Sequence, residues 1–353
     1  MKAWILHGIN ELHYEEVEMP VPGQSEVLVR VRAAGICGSD IPRIYQTGAH
    51  VHPLIPGHEF SGEVISVGEK ADPQWIGKRV GIFPLIPCGK CVSCLKKQYE
   101  MCRHYSYLGS RRDGGFAEYV AVPQWNLIPL PKEISFEAAA MLEPMAVAVH
   151  AMRSLLGSSD DYKDKSVVVW GLGTIGLLLT MFLKQLDIHR LYVVGNKAFQ
   201  KELIAKLGMK ETQYCDCTKE DARAWVMDMT NGHGADFFFE CVGKNETIEN
   251  AIDLAAPGAS VMLVGNPYSD MTLQKTVYWK ILRHQLTVKG TWNSSYTGEE
   301  ADDWHYVLRC LQEKNIHPEQ LISHRYEMRE LEEGFHIMRD KSQDYVKIIG
   351  VQE

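Results

Sequence analysis

A chain of 353 residues is longer than one hydrophobic core usually organises, and 45% hydrophobic with 23% charged residues is the balance of a globular protein of two domains. The formal charge of −8 argues against general affinity for nucleic acid or for an anionic membrane, both of which need a basic surplus. The longest apolar run, "GLLLTMFL", is far short of a bilayer span, and "MKAWILHGINELHYEE" has no signal-peptide pattern, so the expected location is the cytoplasm.

Residues 1–155 consist of short alternating segments bounded by Gly and Pro. "EVLVRVRAAG" (Glu26–Gly35) and "GGFAEYVAVP" (Gly114–Pro123) alternate as half-buried strands do, and the region reads as a β-rich, barrel-like domain. Within it, "AGICGSD" provides Cys37 and "PGHEFSGEV" provides His58 and Glu59; Glu143 follows in "MLEPMAVAVHA", with Pro144 next to it as at a helix start. One thiolate, one imidazole and a carboxylate leave a coordination position open for substrate at zinc, though a lone Cys and a buried His also suit an ordinary core.

Four of the nine cysteines lie in "PCGKCVSCLKKQYEMC", spaced C-x2-C-x2-C-x7-C at Cys88, Cys91, Cys94 and Cys102. Four thiolates match tetrahedral zinc and close its coordination shell, so residues 84–105 are expected to form a lobe that holds a structural ion and performs no chemistry. Lys90, Lys96, Lys97 and Arg103 are placed to offset the negative charge of such a centre. An odd cysteine count clustered in this way is unlike a secreted disulfide framework. Cys215, Cys217, Cys241 and Cys310 read as inert thiols, and His50 and His52 as surface or substrate-contact residues.

"GSSDDYKDK" (Gly157–Lys165) reads as an acidic connector, and the pattern changes after it. "SVVVW" is the continuous apolar run of a strand buried on both faces; "RLYVVG", "DFFFECVG" and "SVMLVG" alternate with helical segments, as in a doubly wound parallel sheet over residues 156–290. "WGLGTIG" directly after the first strand sets Gly171, Gly173 and Gly176 in G-x-G-x-x-G spacing, with Thr174 and Ile175 opening a helix whose free N–H groups suit a dinucleotide pyrophosphate. The next strand ends in Gly195, Asn196 and Lys197, without the carboxylate that would bond the ribose 2′-OH of NAD and repel a 2′-phosphate, so NADP is favoured. Over residues 291–353 the pattern shifts again, to two amphipathic helices and a last strand, "YVKIIGV"; Lys347 in that strand is within reach of cofactor phosphates but is not assigned to them.

"GICGSD", "GHEFSGEV", the four-cysteine lobe and "GLGTIG", in this order along nearly the whole chain, resemble the zinc-dependent medium-chain dehydrogenase/reductase family. "GSDIPRIYQTGAH", "GSRRDGGFAEY", "EPMAVAVHA" and "KILRHQLTVKG" are similar to its polyol dehydrogenase branch. The resemblance implies a GroES-like catalytic domain built from both chain ends with a Rossmann domain between them, two zinc ions per subunit, and NAD(P). It implies catalytic zinc at Cys37, His58 and Glu59, with Glu143 as a fourth ligand or as holder of the zinc-bound water, and Ser39 as the proton-relay hydroxyl.

The expected reaction is hydride transfer between a secondary hydroxyl of a polyol and NAD(P), a hexitol phosphate such as galactitol 1-phosphate giving the keto sugar phosphate. Arg43, Arg111 and Arg112 are the candidates to hold the phosphate. Sorbitol/L-iditol-type, threonine-type and other secondary-alcohol oxidation are rivals on the same fold, and a non-catalytic dinucleotide-binding protein is the rival from another class. A homo-oligomer, dimer or tetramer, is expected by analogy.

Overall fold

The computed structural model describes residues 1–157 and 161–352, so Ser158–Asp160 of the acidic connector lie outside the described residues. The chain forms two compact units: Met1–Pro144 with Ser294–Glu353, and Met145–Asn293. Helix Leu142–Leu156 begins in the first unit and continues in the second.

The first unit is built on a seven-stranded sheet. In spatial order its strands are Ile322–Glu327, Lys347–Val351, Glu26–Gly35, Glu59–Val67, Arg79–Ile82 and Leu127–Pro129, with Tyr119–Pro123 also paired to Glu26–Gly35. Only the first two strands run parallel to each other; the other pairings are antiparallel. Strand Glu26–Gly35 buries Val27, Val29 and Val31 while Arg30 and Arg32 remain half-buried, the alternation its sequence predicts. Trp4, Phe60, Phe116 and Phe335 meet in its core, with Phe335 edge-on to both Trp4 and Phe116. Each ring contributes about 1.5–3 kcal/mol by burial, so residues from the two ends of the chain complete one core.

Strand register is what assembles a site here. Gly35 pairs with Glu59 on one side and with Ile349 on the other, so Cys37, His58–Glu59 and Lys347 all fall at one end of neighbouring strands. A side chain at 35 has no room: a Cβ would lie 2.6 Å from Glu59 Oε2 and 2.7 Å from Lys347 Cε. The turn "LGSRRDGG" is locked against the same loop. Gly109 and Gly114 lie against the Gly57 carbonyl, Ile55 N–H donates to Asp113 Oδ1 at 2.9 Å, and Gly115 N–H donates to Gly57 O at 2.8 Å.

The second unit is a six-stranded, wholly parallel sheet in the order Tyr214–Asp216, Arg190–Gly195, Ser166–Trp170, Ala235–Glu240, Ala255–Leu263, Thr287–Gly290. That is the doubly wound order of dinucleotide-binding domains, with the central strand Ser166–Trp170 buried along its whole length. The following helix, Thr174–Gln185, buries the continuous run Gly176–Leu183.

The three fingerprint glycines differ in what the backbone around them requires. Gly171 has φ +103°, open to glycine and strained for other residues. A Cβ at Gly173 would meet nothing within 4 Å, whereas at Gly176 it would lie 1.9 Å from the Gly171 carbonyl oxygen. Gly176→Ala should therefore destabilise the fold by about 1–3 kcal/mol through overpacking. Gly173→Ala should leave the melting temperature unchanged and weaken dinucleotide binding; calorimetry and a dinucleotide titration of both variants separate the two effects.

Candidate functional site

The ligand atoms of Cys37, His58 and Glu59 lie within 4.8 Å of one another. His58 and Glu59 are buried and Cys37 is half-buried. Asp40, fully buried, organises their surroundings. It accepts from Cys37 N–H at 3.0 Å and from Arg43 Nη1 at 2.5 Å, and it lies 3.5 Å from His58 Nδ1. Lys347 Nζ donates to Ile36 O at 2.9 Å and forms a buried ion pair with Glu59. Lys347 is thus spent on the Cys37–His58–Glu59 cluster.

Charge follows this geometry. Burial works against a charged imidazole at His58, but Asp40 and Cys37 beside it hold its pKa well above the usual histidine value. Burial likewise opposes ionisation of Asp40, and His58 and Arg43 overcome it, leaving the carboxyl below its usual pKa. Among the described residues neither His58 Nδ1 nor Glu59 Oε2 finds a well-oriented hydrogen bond; their ionic neighbours are Asp40 and Lys347. One sulfur, one imidazole nitrogen and one carboxylate oxygen, buried together and short of partners, suit a zinc ion with a position left for a small oxygen ligand. Ser39 Oγ donates to Cys37 Sγ at 3.4 Å, beside the cluster.

Glu143 stands outside that three-residue cluster, in the first turn of helix Leu142–Leu156. Tyr107 Oη donates to its Oε1 at 3.2 Å. Burial pushes the Glu143 carboxyl up to about 7, with the Glu59 charge adding to the effect and His58 and Lys347 opposing it. Tyr107 is raised well above the ordinary phenol value, first by burial and then by Glu143.

Cys88, Cys91, Cys94 and Cys102 form the other cluster, their ligand atoms within 4.8 Å of one another. Sulfur separations of 3.9 Å (Cys88–Cys94), 3.5 Å (Cys91–Cys94) and 3.9 Å (Cys91–Cys102) match the edge of a tetrahedron with Zn–S bonds of about 2.3 Å, which is about 3.8 Å. Backbone N–H groups of Cys94 and Arg103 lower the Cys91 thiol to about 6, while burial and the neighbouring sulfurs push Cys94 to about 12. Sulfurs this close cannot all ionise without a cation among them, so the donor set fits a closed tetrahedral ion. Of the four basic residues near the loop, Lys97 is drawn to Glu299; Lys90, Lys96 and Arg103 are exposed.

In the second unit Gly173 caps the fingerprint helix with extended backbone, and Thr174 and Ile175 follow as its first turn. Strand Arg190–Gly195 ends against the buried Gln200 amide. Gln200 Oε1 accepts from Asn196 N–H at 2.9 Å and Lys197 N–H at 3.1 Å, and Nε2 donates to Leu172 O at 3.0 Å. A Cβ at Gly195 would sit 2.4 Å from Gln200 Oε1, so a neutral amide takes the place into which a carboxylate at 195 would project. Tyr214 Oη donates to Lys197 O at 3.2 Å. In the adjacent strand Asp216 accepts from the Thr218 hydroxyl and pairs with Lys219 at 3.0 Å.

The three substrate arginines have different surroundings. Arg43 is bound to Asp40, and Arg112 donates to Glu26 Oε1 at 2.8 Å. Arg111 is exposed, its guanidinium carbon 4.6 Å from the Tyr105 ring centroid; among the described residues it has no carboxylate partner. His52 is committed to backbone, with Nδ1 at 3.1 Å from Leu6 O and Nε2 accepting from Ala49 N–H at 3.2 Å. Asp40, Tyr107 and Gln200 were not singled out from sequence. Asp40 carried a readable signal, three residues after Cys37 across a tight turn; Tyr107 and Gln200 carried none.

Residues 23–132 match the family described as Alcohol dehydrogenase GroES-like domain, and residues 174–313 the family described as Zinc-binding dehydrogenase. The chain is 35% identical to galactitol 1-phosphate 5-dehydrogenase of Escherichia coli (strain K12) over 311 residues, 88% of each chain. It superposes on the crystal structure of galactitol-1-phosphate dehydrogenase from Escherichia coli with a TM-score of 0.90 at 32% identity, covering 100% of both chains. It superposes on a protein from Sinorhizobium meliloti 1021, described as a zinc-binding dehydrogenase and bound to NADP, with a TM-score of 0.87 at 25% identity and 99% coverage of both.

Removing one partner of a buried ion pair strands the other charge, at a typical cost of about 3–5 kcal/mol. Lys347→Met should therefore destabilise the metal-free protein by about that amount, and the zinc-loaded protein by less, because the ion takes over compensation of Glu59. Urea unfolding with and without zinc measures the difference; equal losses in both states would contradict it.

Proposed function

Because the chain belongs to the zinc-binding dehydrogenase family with an alcohol dehydrogenase GroES-like domain, we propose that it oxidises a secondary hydroxyl of a polyol phosphate with NADP, galactitol 1-phosphate giving the corresponding keto sugar phosphate. The observation that carries this reading is the pairing of a buried three-donor cluster, Cys37–His58–Glu59, with a closed four-sulfur cluster in one unit. The first is the donor set of a catalytic zinc and the second that of a structural zinc.

A zinc ion held by Cys37, His58 and Glu59 would supply Lewis acidity toward a substrate hydroxyl, and a bound nicotinamide would supply the hydride acceptor. The chain's residues do the rest. Asp40 orients His58 and, with Arg43, keeps the His58 side of the cluster charge-balanced; Lys347 does the same for Glu59. Ser39, beside Cys37, takes the hydroxyl proton. Glu143 closes the remaining side, as a further ligand or through a water. Cys88, Cys91, Cys94 and Cys102 hold their lobe in shape and take no part in the reaction.

Gly171, Gly173, Thr174, Ile175 and Gly176 receive the pyrophosphate on open backbone and a helix N-terminus. The absence of a carboxylate at Gly195, with Asn196 and Lys197 following, supports NADP. Arg111, mounted on Tyr105 and free of any carboxylate among the described residues, is the best placed of the three arginines to meet a substrate phosphate. The name of the Escherichia coli relative supports the same substrate class.

Nine free cysteines agree with a reducing cytoplasm, and among the described residues no helix is long and apolar enough to cross a membrane.

A steady-state screen of free and phosphorylated polyols against NAD and NADP tests this reading. A phosphorylated hexitol with NADP should give the highest kcat/KM, and Arg111→Ala should raise KM for the phosphate ester by about tenfold or more while sparing the free polyol. A clear advantage for NAD, or equal effects of Arg111→Ala on both substrates, removes the corresponding part.

We also read the protein as a homo-oligomer. Strand Thr287–Gly290 is an edge of its sheet with all four residues exposed, and Tyr278, Trp279, Leu282 and Trp292 nearby in sequence are exposed as well. An unprotected edge with apolar neighbours favours strand addition by a second copy. Val288→Lys should shift light-scattering mass toward the monomer; an unchanged mass would place the interface elsewhere.

A further inference from the structure

Tyr107 is tied to three things at once. Its strand pairs with Leu85. Its carbonyl accepts from Arg111 N–H at 2.9 Å and from Ser110 and Arg112 N–H at 3.3 Å each, so it anchors the turn that carries the arginines. Its ring stands edge-on to His58 with centroids 5.8 Å apart, and edge-on to Tyr105 at 6.1 Å. With backbone and ring both held, the phenol has little freedom, and it points at Glu143 Oε1 across 3.2 Å. Glu143 is buried at the start of a helix.

We infer that Tyr107 is a positioning residue for Glu143: its hydroxyl engages Oε1 and leaves Oε2 as the better donor toward an ion held by Cys37, His58 and Glu59. A carboxylate in a metal's environment acts reproducibly only when its second oxygen is held, and groups that hold it typically change metal affinity by about 10- to 100-fold. The phenol also spends its one proton on Glu143, so the Tyr107 ring meets His58 as an apolar wall and does not compete for its nitrogens. The inference rests on the reading of Glu143 as part of the zinc environment, and the test separates the two.

Tyr107→Phe keeps the ring and its packing and removes one oxygen. The protein loaded with two zinc ions is titrated with a chromogenic chelator for wild type, Tyr107→Phe, Glu143→Ala and the double variant, with melting curves to confirm folding. The four-sulfur site serves as internal reference. The expected result is that Tyr107→Phe weakens one of the two ions by about 10- to 100-fold and leaves the other unchanged. Glu143→Ala should weaken the same ion, and the double variant should bind it no more weakly than Glu143→Ala alone.

Weakening by Glu143→Ala but not by Tyr107→Phe overturns the role of Tyr107 and leaves that of Glu143 standing. If neither variant weakens the ion, the reading of Glu143 falls and the inference with it. Additive losses in the double variant overturn the inference as well, since Tyr107 would then act through some other contact.

Discussion

Lys347 and Glu59 are separated by most of the chain, yet their side chains form an ion pair in an interior where each is almost fully enclosed. Burying two opposite charges is tolerable only when each finds the other and its remaining bonding capacity is met nearby. Lys347 meets that condition by donating also to Ile36 O. The pair requires the last strand to lie beside Glu26–Gly35 and Gly35 to lack a side chain, because a Cβ there would strike both partners. Cys37, two residues beyond Gly35, is thereby brought to His58 and Glu59.

The two clusters of candidate metal donors are built by opposite means. The four-sulfur lobe draws its donors from one local stretch, where tight turns and backbone N–H groups set the sulfurs near tetrahedral spacing, and a fourfold thiolate shell has no room for chemistry. The Cys37–His58–Glu59 cluster draws its donors from strand ends, and its neighbours come from near and far: Asp40 from the adjoining turn, Lys347 from the last strand, and the Tyr107 ring, beside His58, from strand Ser106–Tyr107. A site assembled from rigid elements can leave one coordination position open without collapsing, which is the condition for binding a substrate oxygen. The dinucleotide turn has the same economy: an open face at Gly173, a closed contact at Gly176, and a neutral amide from Gln200 at the end of the next strand.

Much of this was legible in the chain because it depends on local spacing. The C-x2-C-x2-C-x7-C lobe, the G-x-G-x-x-G turn after "SVVVW", the alternation of strands and helices that follows, and the missing carboxylate at Gly195 are properties of short stretches whose geometry the backbone dictates. Cys37, His58 and Glu59 were nameable as candidate metal donors, the pattern in "GICGSD" and "GHEFSGEV" being strengthened by family resemblance, and the fold brings their ligand atoms within 4.8 Å of one another. The arginines were not equally legible. Arg43 and Arg112 find carboxylates in Asp40 and Glu26, contacts that no spacing rule foretells, whereas Arg111 lies over the Tyr105 ring with no carboxylate partner among the described residues.

The amino-acid order by itself determined the fold class, through strand and helix patterning along the chain, and the four-cysteine cluster and the glycine-rich turn, each encoded within about 30 residues, where chain connectivity limits the possible geometries. Tertiary structure decided the pairing of charges. Lys347 became a partner of Glu59, Tyr107 a donor to Glu143, and Gln200 the cap over Asn196 and Lys197 because strand register and glycine-permitted close packing brought their atoms within bonding distance. A buried polar group must take whichever partner the fold delivers, and sequence separation carries no information about which partner that is.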